Sequence, residues 1–186
     1  LPEITEDEIP FEIPENWCWV RLGKLLKVNP RNHLKDDLEV SFVPMALIQD
    51  GYNNSFETES RIWKSVKSGF THFAENDVIL AKITPCFQNL KSAVMVNLRN
   101  GFGAGTTELH VLRRYNNNID CKYLLYYLKN PIFIKDGLAI MTGTAGQQRV
   151  SAEFIKKYLF PLPPLAEQYR IVERLEQLLP LCDALE

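Results

Sequence analysis

The most regular apolar spacing in the chain lies at its end. Beyond Leu165, the residues Ile171, Leu175, Leu178, Cys182 and Leu185 follow one another at steps of 4, 3, 4 and 3. That is the seam of a heptad repeat. Val172 and Leu179 widen the seam on one side. The spacing predicts a helix over 165–186, roughly 33 Å long at about 1.5 Å per residue. Pro180 lies inside it and is expected to kink the helix or mark a join, because proline lacks the N–H that interior helix bonding needs. The seam runs into the last residue. The helix is therefore expected to continue in a longer protein and to cover its stripe with a partner; folding back on its own domain is the alternative.

Upstream, Val40–Ala46, Asp77–Ile83, Ser92–Val96 and Glu108–Arg113 are short apolar or alternating runs that predict buried strands. Pro14 and Asn16 predict a turn, and the aromatic alternation after it a short strand. Leu22, Leu25 and Leu26 have helical spacing, so Arg21–Val28 reads as a helix stopped by Asn29-Pro30. Further helices are expected over Asp120–Lys129, over Ile132–Met141 with Pro131 in its first turn, and from Ser151 as N-cap. Phe160-Pro-Leu-Pro-Pro reads as extended chain. Between Ile48 and Thr71 no period holds, and the mixture of polar, aromatic and basic residues reads as a long loop of the kind that carries recognition. The fold class is therefore mixed α/β, α+β-like: a globular domain over 13–160 with a twisted sheet and packed helices. An acidic leader at 1–12 precedes it, and the coiled-coil-forming helix of 161–186 follows.

Composition changes the picture mainly through charge. The 186 residues carry a net charge of only −2, but it is unevenly spread. Residues 1–20 hold six acids and no base; residues 61–114 hold eight bases against three acids, and residues 115–164 six against three. A basic body between acidic ends suits a phosphate backbone, since neutralised phosphates release condensed counterions. An ordinary solvated surface is the plainer reading of the same numbers. Four cysteines are widely spaced, without a Cys-x-x-Cys pair, and the three histidines show no ligand spacing to them. A reducing, cytoplasmic setting is expected, with no disulfide framework and no zinc site. No apolar run is long enough to span a bilayer, so no membrane association is expected.

Catalytic signatures are incomplete. Asn130-Pro131-Ile132-Phe133 approaches the Asn-Pro-Pro-aromatic loop of adenine methyltransferases, but it falls between two predicted helices, where Asn-Pro serves as stop and restart. Asp77 and Lys82 flank a strand as in magnesium-dependent nucleases, yet Leu80 and Ala81 stand where the second acid belongs. Gly101-Phe-Gly-Ala-Gly105 is glycine-rich and admits two readings, a tight connection or a close approach to a nucleic-acid backbone.

Five segments in order resemble the specificity subunit of type I restriction–modification systems. They are Ile13-Pro-Glu-Asn-Trp-Cys-Trp-Val-Arg-Leu-Gly23, Asp77-Val-Ile-Leu-Ala-Lys-Ile-Thr-Pro-Cys-Phe-Gln-Asn89, Gly103-Ala-Gly-Thr-Thr-Glu-Leu-His-Val-Leu-Arg113, Thr142-Gly-Thr-Ala-Gly-Gln-Gln-Arg-Val150 and Phe160-Pro-Leu-Pro-Pro-Leu-Ala-Glu-Gln168. The resemblance implies a target-recognition domain and the start of a conserved spacer helix, with no catalytic centre. It implies reading one half of a split double-stranded DNA target beside methyltransferase (modification) and motor-nuclease (restriction) subunits, with S-adenosylmethionine bound only by the methyltransferase partner. Family members carry two such domains, and no internal repeat is visible here. A second recognition domain in cis, or a homodimer through the helix, is expected to supply the other half. Two rival readings are an assembly module that reads no DNA and the recognition part of a fused methyltransferase–nuclease.

Within that reading Lys82, Lys91 and Arg113 are the candidates for phosphate contacts. Thr84, Gln88 and Asn89 follow a strand and suit backbone or base hydrogen bonds. Thr106 and Thr107 stand beside Gly105, where the chain can approach DNA closely. Gln147, Gln148 and Arg149 form a donor-rich loop, Gln pairing with adenine and Arg with guanine. The expected helix interface is Ile171, Leu175, Leu178, Cys182 and Leu185.

Overall fold

The structure is a computed structural model that describes residues 1–144 and 146–183. In chain order its elements are β1 (Cys18–Arg21), α1 (Leu22–Leu25), β2 (Leu26–Val28), β3 (Glu39–Val43), β4 (Glu59–Ile62), α2 (Trp63–Val66), β5 (Thr71–Ala74), β6 (Val78–Ala81), β7 (Ser92–Val94), β8 (Phe102–Gly105) and β9 (Leu109–Arg114). After them come α3 (Cys121–Leu128), α4 (Pro131–Ala139), α5 (Ala152–Lys157), β10 (Leu159–Leu162) and α6 (Leu165–Asp183).

Strand β6 organises the layers. All four of its residues are buried, so it cannot alternate between core and water. Val78 and Leu80 join a core shared with α3, α4, α5 and β10, while Ile79 and Ala81 join a second core with Phe73, Met95 and Val111. The first sheet, in the order β2-β9-β6-β7, thus lies between the helices and a second sheet, in the order β4-β3-β8-β5. The first is antiparallel throughout; in the second, β3 and β8 run parallel. A third cluster of Val40, Trp63, Val66 and Ala104 covers the far face of the second sheet. Each buried Leu, Ile or Phe contributes about 1.5–3 kcal/mol of transfer free energy. The helices start where side chains accept orphan amides: Asp120 serves α3, Asn130 α4 and Ser151 α5.

Two expectations need correction. Arg21–Val28 is not one helix. Only the single turn of α1 forms, and Leu26–Val28 is drawn into the sheet opposite Arg114, Arg113 and Leu112 of β9; ladder hydrogen bonds override the helical spacing of the leucines. Within the glycine-rich 101–105 stretch, Phe102–Gly105 forms the inner strand β8 rather than a connection or a cradle, and only Gly101 belongs to the turn before it. A Cβ at Gly103 would stand 2.1 Å from the Phe73 ring and 2.7 Å from the Ser41 carbonyl. These glycines let a strand pass under an aromatic ring inside the second sheet. Pro180 lies inside α6, which runs to Asp183, so it marks no join; it forfeits the one bond to the Glu176 carbonyl, three residues before the described helix stops.

The two ends of the domain are tied down by single residues. Buried Arg21 donates to the Pro2, Glu3 and Lys157 carbonyls and pairs with Glu8 at 2.8 Å, which docks the acidic leader. Gln168 is fully buried at the start of α6. Its oxygen accepts from the Asp120 amide at 2.7 Å, and its amide donates to the Asn118 and Pro163 carbonyls. The apolar seam divides accordingly. Val172 is buried and Ile171 and Leu175 are half-buried against the domain, whereas Leu178 and Cys182 are exposed and Leu181 is 63% exposed. Leu185 lies outside the described residues.

Candidate nucleic-acid interface

The end of β6 gathers three segments that are far apart in the chain. Past Ala81, the Lys82 amide donates to the Glu108 carbonyl at 2.9 Å, and the Lys82 carbonyl accepts from the Val150 amide at 2.9 Å. The Thr84 amide donates to the Gln148 carbonyl at 3.1 Å. Isolated bridges join Ile83 to Arg149 and Thr142 to Arg149. The hairpin of 142–149 is therefore stitched to one side of residues 82–84, and the 106–108 turn to the other. Lys82, Thr84, Gln88, Asn89, Thr106, Thr107, Gln147, Gln148 and Arg149 all belong to this one edge.

Local anchors give the edge its shape. In the turn of 84–90 the Phe87 amide donates to Ile83 and the Asn89 amide to Pro85. Phe87 plugs the turn into the core against Phe133, leaving Gln88 and Asn89 exposed. The Gly51 amide donates to the Asn89 carbonyl at 2.9 Å, so the 48–56 loop leans on the same turn. That loop is held from below by Lys129, whose ammonium donates to the Gly51 and Asn53 carbonyls at 2.7 Å each. Lys129 is fully buried, and burial pushes its amine down to about 8. Thr106 turns its hydroxyl to the Glu108 amide at 3.2 Å, and Thr107 is exposed.

The hairpin rests on His110 as well. Its Nε2 stands 2.9 Å from the Val150 carbonyl and its Nδ1 3.1 Å from the Asn29 side-chain amide. The carbonyl only accepts, so Nε2 carries the proton and Nδ1 accepts from the amide. Burial pushes the ring down to about 4.

Charge at this edge is largely neutralised. Arg149 donates from Nε and Nη2 to the two oxygens of Glu108, both at 2.8 Å, and from Nη1 to the Gln147 carbonyl at 2.9 Å. The guanidinium holds the Glu108 carboxyl below the usual carboxylate range, against a smaller opposing effect of burial. Lys91 is directed inward, to the Ile48 carbonyl and, at 3.2 Å, to Asp50. Lys82 has no ion-pair partner among the described residues.

Arg113 does not join the edge. It sits at the other end of β9, where its guanidinium binds buried Asp77 at 2.7 Å and the Asn32 oxygen at 3.0 Å. Desolvation pushes the Asp77 carboxyl up while Arg113 pulls it back. Arg113 is an internal counter-ion, and the same pair removes Asp77 from any nuclease-like role. Sequence reasoning missed Asn29, Glu108, His110 and Lys129. Asn29 carried a local signal, because its side chain and left-handed backbone fit the turn before Pro30. The others carried none.

Elsewhere, an apolar cavity of about 780 Å³ opens between the leader and α4–α5, lined by Phe11, Tyr127, Phe133, Phe154 and Tyr158. No grouping of three or more metal-binding side chains stands among the described residues. No helix among them is long and apolar enough to cross a membrane.

A rigid double-layered scaffold with a polar edge built from loops is the layout of a macromolecular recognition domain. The chain belongs to the type I restriction modification DNA specificity domain family, whose description matches residues 14–186. It is 50% identical over 187 residues to the Escherichia coli type I restriction enzyme EcoAI specificity subunit and 45% identical to the EcoEI specificity subunit from the same organism. Both alignments cover 100% of this chain and 32% of the relative; the chain spans about a third of those proteins. The fold is shared with the crystal structure of an HsdS subunit from Thermoanaerobacter tengcongensis, at TM-score 0.74 and 23% identity over 95% of this chain and 45% of that one. It is shared more loosely with a type I S subunit from M. genitalium, at TM-score 0.51 and 16% identity over 89% of this chain and 40% of that one.

Proposed function

We propose that this chain is a non-catalytic target-recognition domain that reads one half of a split double-stranded DNA target for a type I restriction–modification assembly. The observation that carries the reading is the convergence of 82–89, 106–108 and 142–149 on one edge, each bringing short polar side chains. Contacts to phosphate set register, and contacts to base edges specify. Lys82 is the phosphate candidate that remains. Gln88, Asn89, Thr106, Thr107, Gln147 and Gln148 are the candidates for backbone and base-edge hydrogen bonds, whereas the Thr84 hydroxyl is buried. Lys91 and Arg113 are instead held internally, by Asp50 and the Ile48 carbonyl and by Asp77.

In the same reading α6 begins a spacer. Its exposed outer seam of Leu178 and Cys182, continuing to Leu185, packs in a coiled coil against a second recognition half, in cis or in a homodimer. Methyltransferase subunits, which carry S-adenosylmethionine, and motor-nuclease subunits complete the cytoplasmic assembly. The test is methylome sequencing of a host expressing the full-length protein with its methyltransferase partner. A split methylated motif that disappears when the specificity gene is deleted is expected. An unchanged set of methylated motifs would refute the assignment.

A further inference from the structure

We propose that Glu108 sets the discrimination of this surface by neutralising Arg149, so that the recognition hairpin meets DNA without a free phosphate-seeking charge. The proposal rests on the DNA-recognition reading above.

The argument begins with the count of charges. Segments 82–91, 101–110 and 142–150 contain three bases, Lys82, Lys91 and Arg149, and one acid, Glu108. That acid is fixed by its backbone: its amide reaches the Thr106 hydroxyl at 3.2 Å and its carbonyl accepts from Lys82 at 2.9 Å. Its backbone thereby places the carboxylate within reach of Arg149. The pair is side-on and two-fold, the strong geometry for guanidinium and carboxylate. The third arm of Arg149 holds the Gln147 carbonyl, so the same side chain sets the shape of the hairpin that presents Gln147 and Gln148.

A free arginine there would act differently. Attraction to phosphate is blind to sequence, and each phosphate neutralised adds about 0.9 to the slope of log K against log salt. An unpaired Arg149 would raise affinity for every duplex alike and narrow the gap between target and bulk DNA. Pairing it with Glu108 keeps its shape-giving hydrogen bonds and removes its charge from that contest.

The experiment uses the full-length protein in its assembled complex and a fluorescein-labelled duplex of mixed sequence without the target. Binding is followed by anisotropy from about 50 to 200 mM KCl, the range over which counterion release is readily seen. Glu108→Gln is expected to tighten mixed-sequence binding and steepen the salt slope by about 0.9, an extra loss of about 3- to 4-fold in affinity across that range. Arg149→Gln alone, which leaves the Glu108 carboxylate unpaired, is expected to give a slope no steeper than the wild type, and the double variant to return to the wild-type slope. Glu108→Asp is expected to restore wild-type behaviour. A hairpin that merely loosens would weaken binding in both single variants and steepen neither slope. An unchanged or shallower slope in Glu108→Gln would overturn the proposal, as would a double variant that keeps the steeper slope. Failure of the wild-type complex itself to bind duplex would instead overturn the recognition reading.

Discussion

Acidification should destabilise the domain through His110. The ring is 4% exposed and both its nitrogens are occupied. The Asn29 amide cannot turn over to accept a second ring proton, because its oxygen already accepts from the Val111 amide at 2.9 Å. A protonated Nδ1 would face an N–H, inside a low-dielectric core. The native ring consequently titrates at about 4 against 6.5 for a free histidine. The sign follows from proton counts: between those values the unfolded chain binds more protons than the native one, so stability is lost as pH falls. At 1.36 kcal/mol per pH unit the full loss is about 3 kcal/mol, of which about 2 kcal/mol is already gone at pH 5. Urea unfolding at pH 5 and pH 8 measures it in the wild type and in His110→Gln, whose amide still donates to a carbonyl but does not titrate. The variant is expected to lose about 2 kcal/mol less between the two pH values. Ionisation of Glu108 also depends on pH, but it is common to both proteins and cancels in the difference. A native His110 that titrates near 6.5 by NMR, or two stability curves that fall in parallel, would refute the reasoning.

Lys129 predicts a trend of the same sign on the alkaline side. Its native amine titrates at about 8 against 10.5 in the unfolded chain, so stability attributable to it rises with pH, by about 1.5 kcal/mol from pH 8 to 9.5. Urea midpoints of the wild type and Lys129→Met should diverge by that amount; parallel curves would show that the ammonium is not desolvated as described. Gly103→Ala pushes a methyl group into the Phe73 ring and the Ser41 carbonyl. Overpacking of this kind costs about 3 kcal/mol, a fall of roughly 6–12 °C in Tm for a domain of this size. A change below about 2 °C would mean that the second sheet yields more easily than its geometry implies.

The layers of the fold were legible where period and burial agree. The buried runs of β6, β7 and β9 and the capped helices α3, α4 and α5 announce themselves, because apolar runs and Asp120, Asn130 and Ser151 act within a few residues of where they stand. Strand β4 is exposed at every position and carries no period, and β8 looks like a loop because its glycines answer to Phe73, some thirty residues away in the chain. The leucines of α1 and β2 have helical spacing, but β9 decides their conformation, and β9 lies more than eighty residues downstream.

The same distance in sequence explains which site residues were readable. Polar loop segments could be picked out one by one, and the fold brings three of them to one edge. Whether a cation there is available could not be read, since availability depends on a partner acid. Arg113 is met by Asp77 from 36 residues away, and Arg149 by Glu108 from 41; Lys91 is met by Asp50 across a similar span. In each case the sequence displays a lone base in a basic region, while the fold supplies its neutraliser. A basic body therefore overstates the phosphate-binding charge of this surface. Of the four basic residues chosen for DNA contact, only Lys82 lacks an acidic partner among the described residues. An edge with so little free charge gains little from counterion release. In the proposed recognition role, hydrogen bonds by Gln147, Gln148 and Thr107 would then supply more of the affinity, and these depend on the identity of the base they meet.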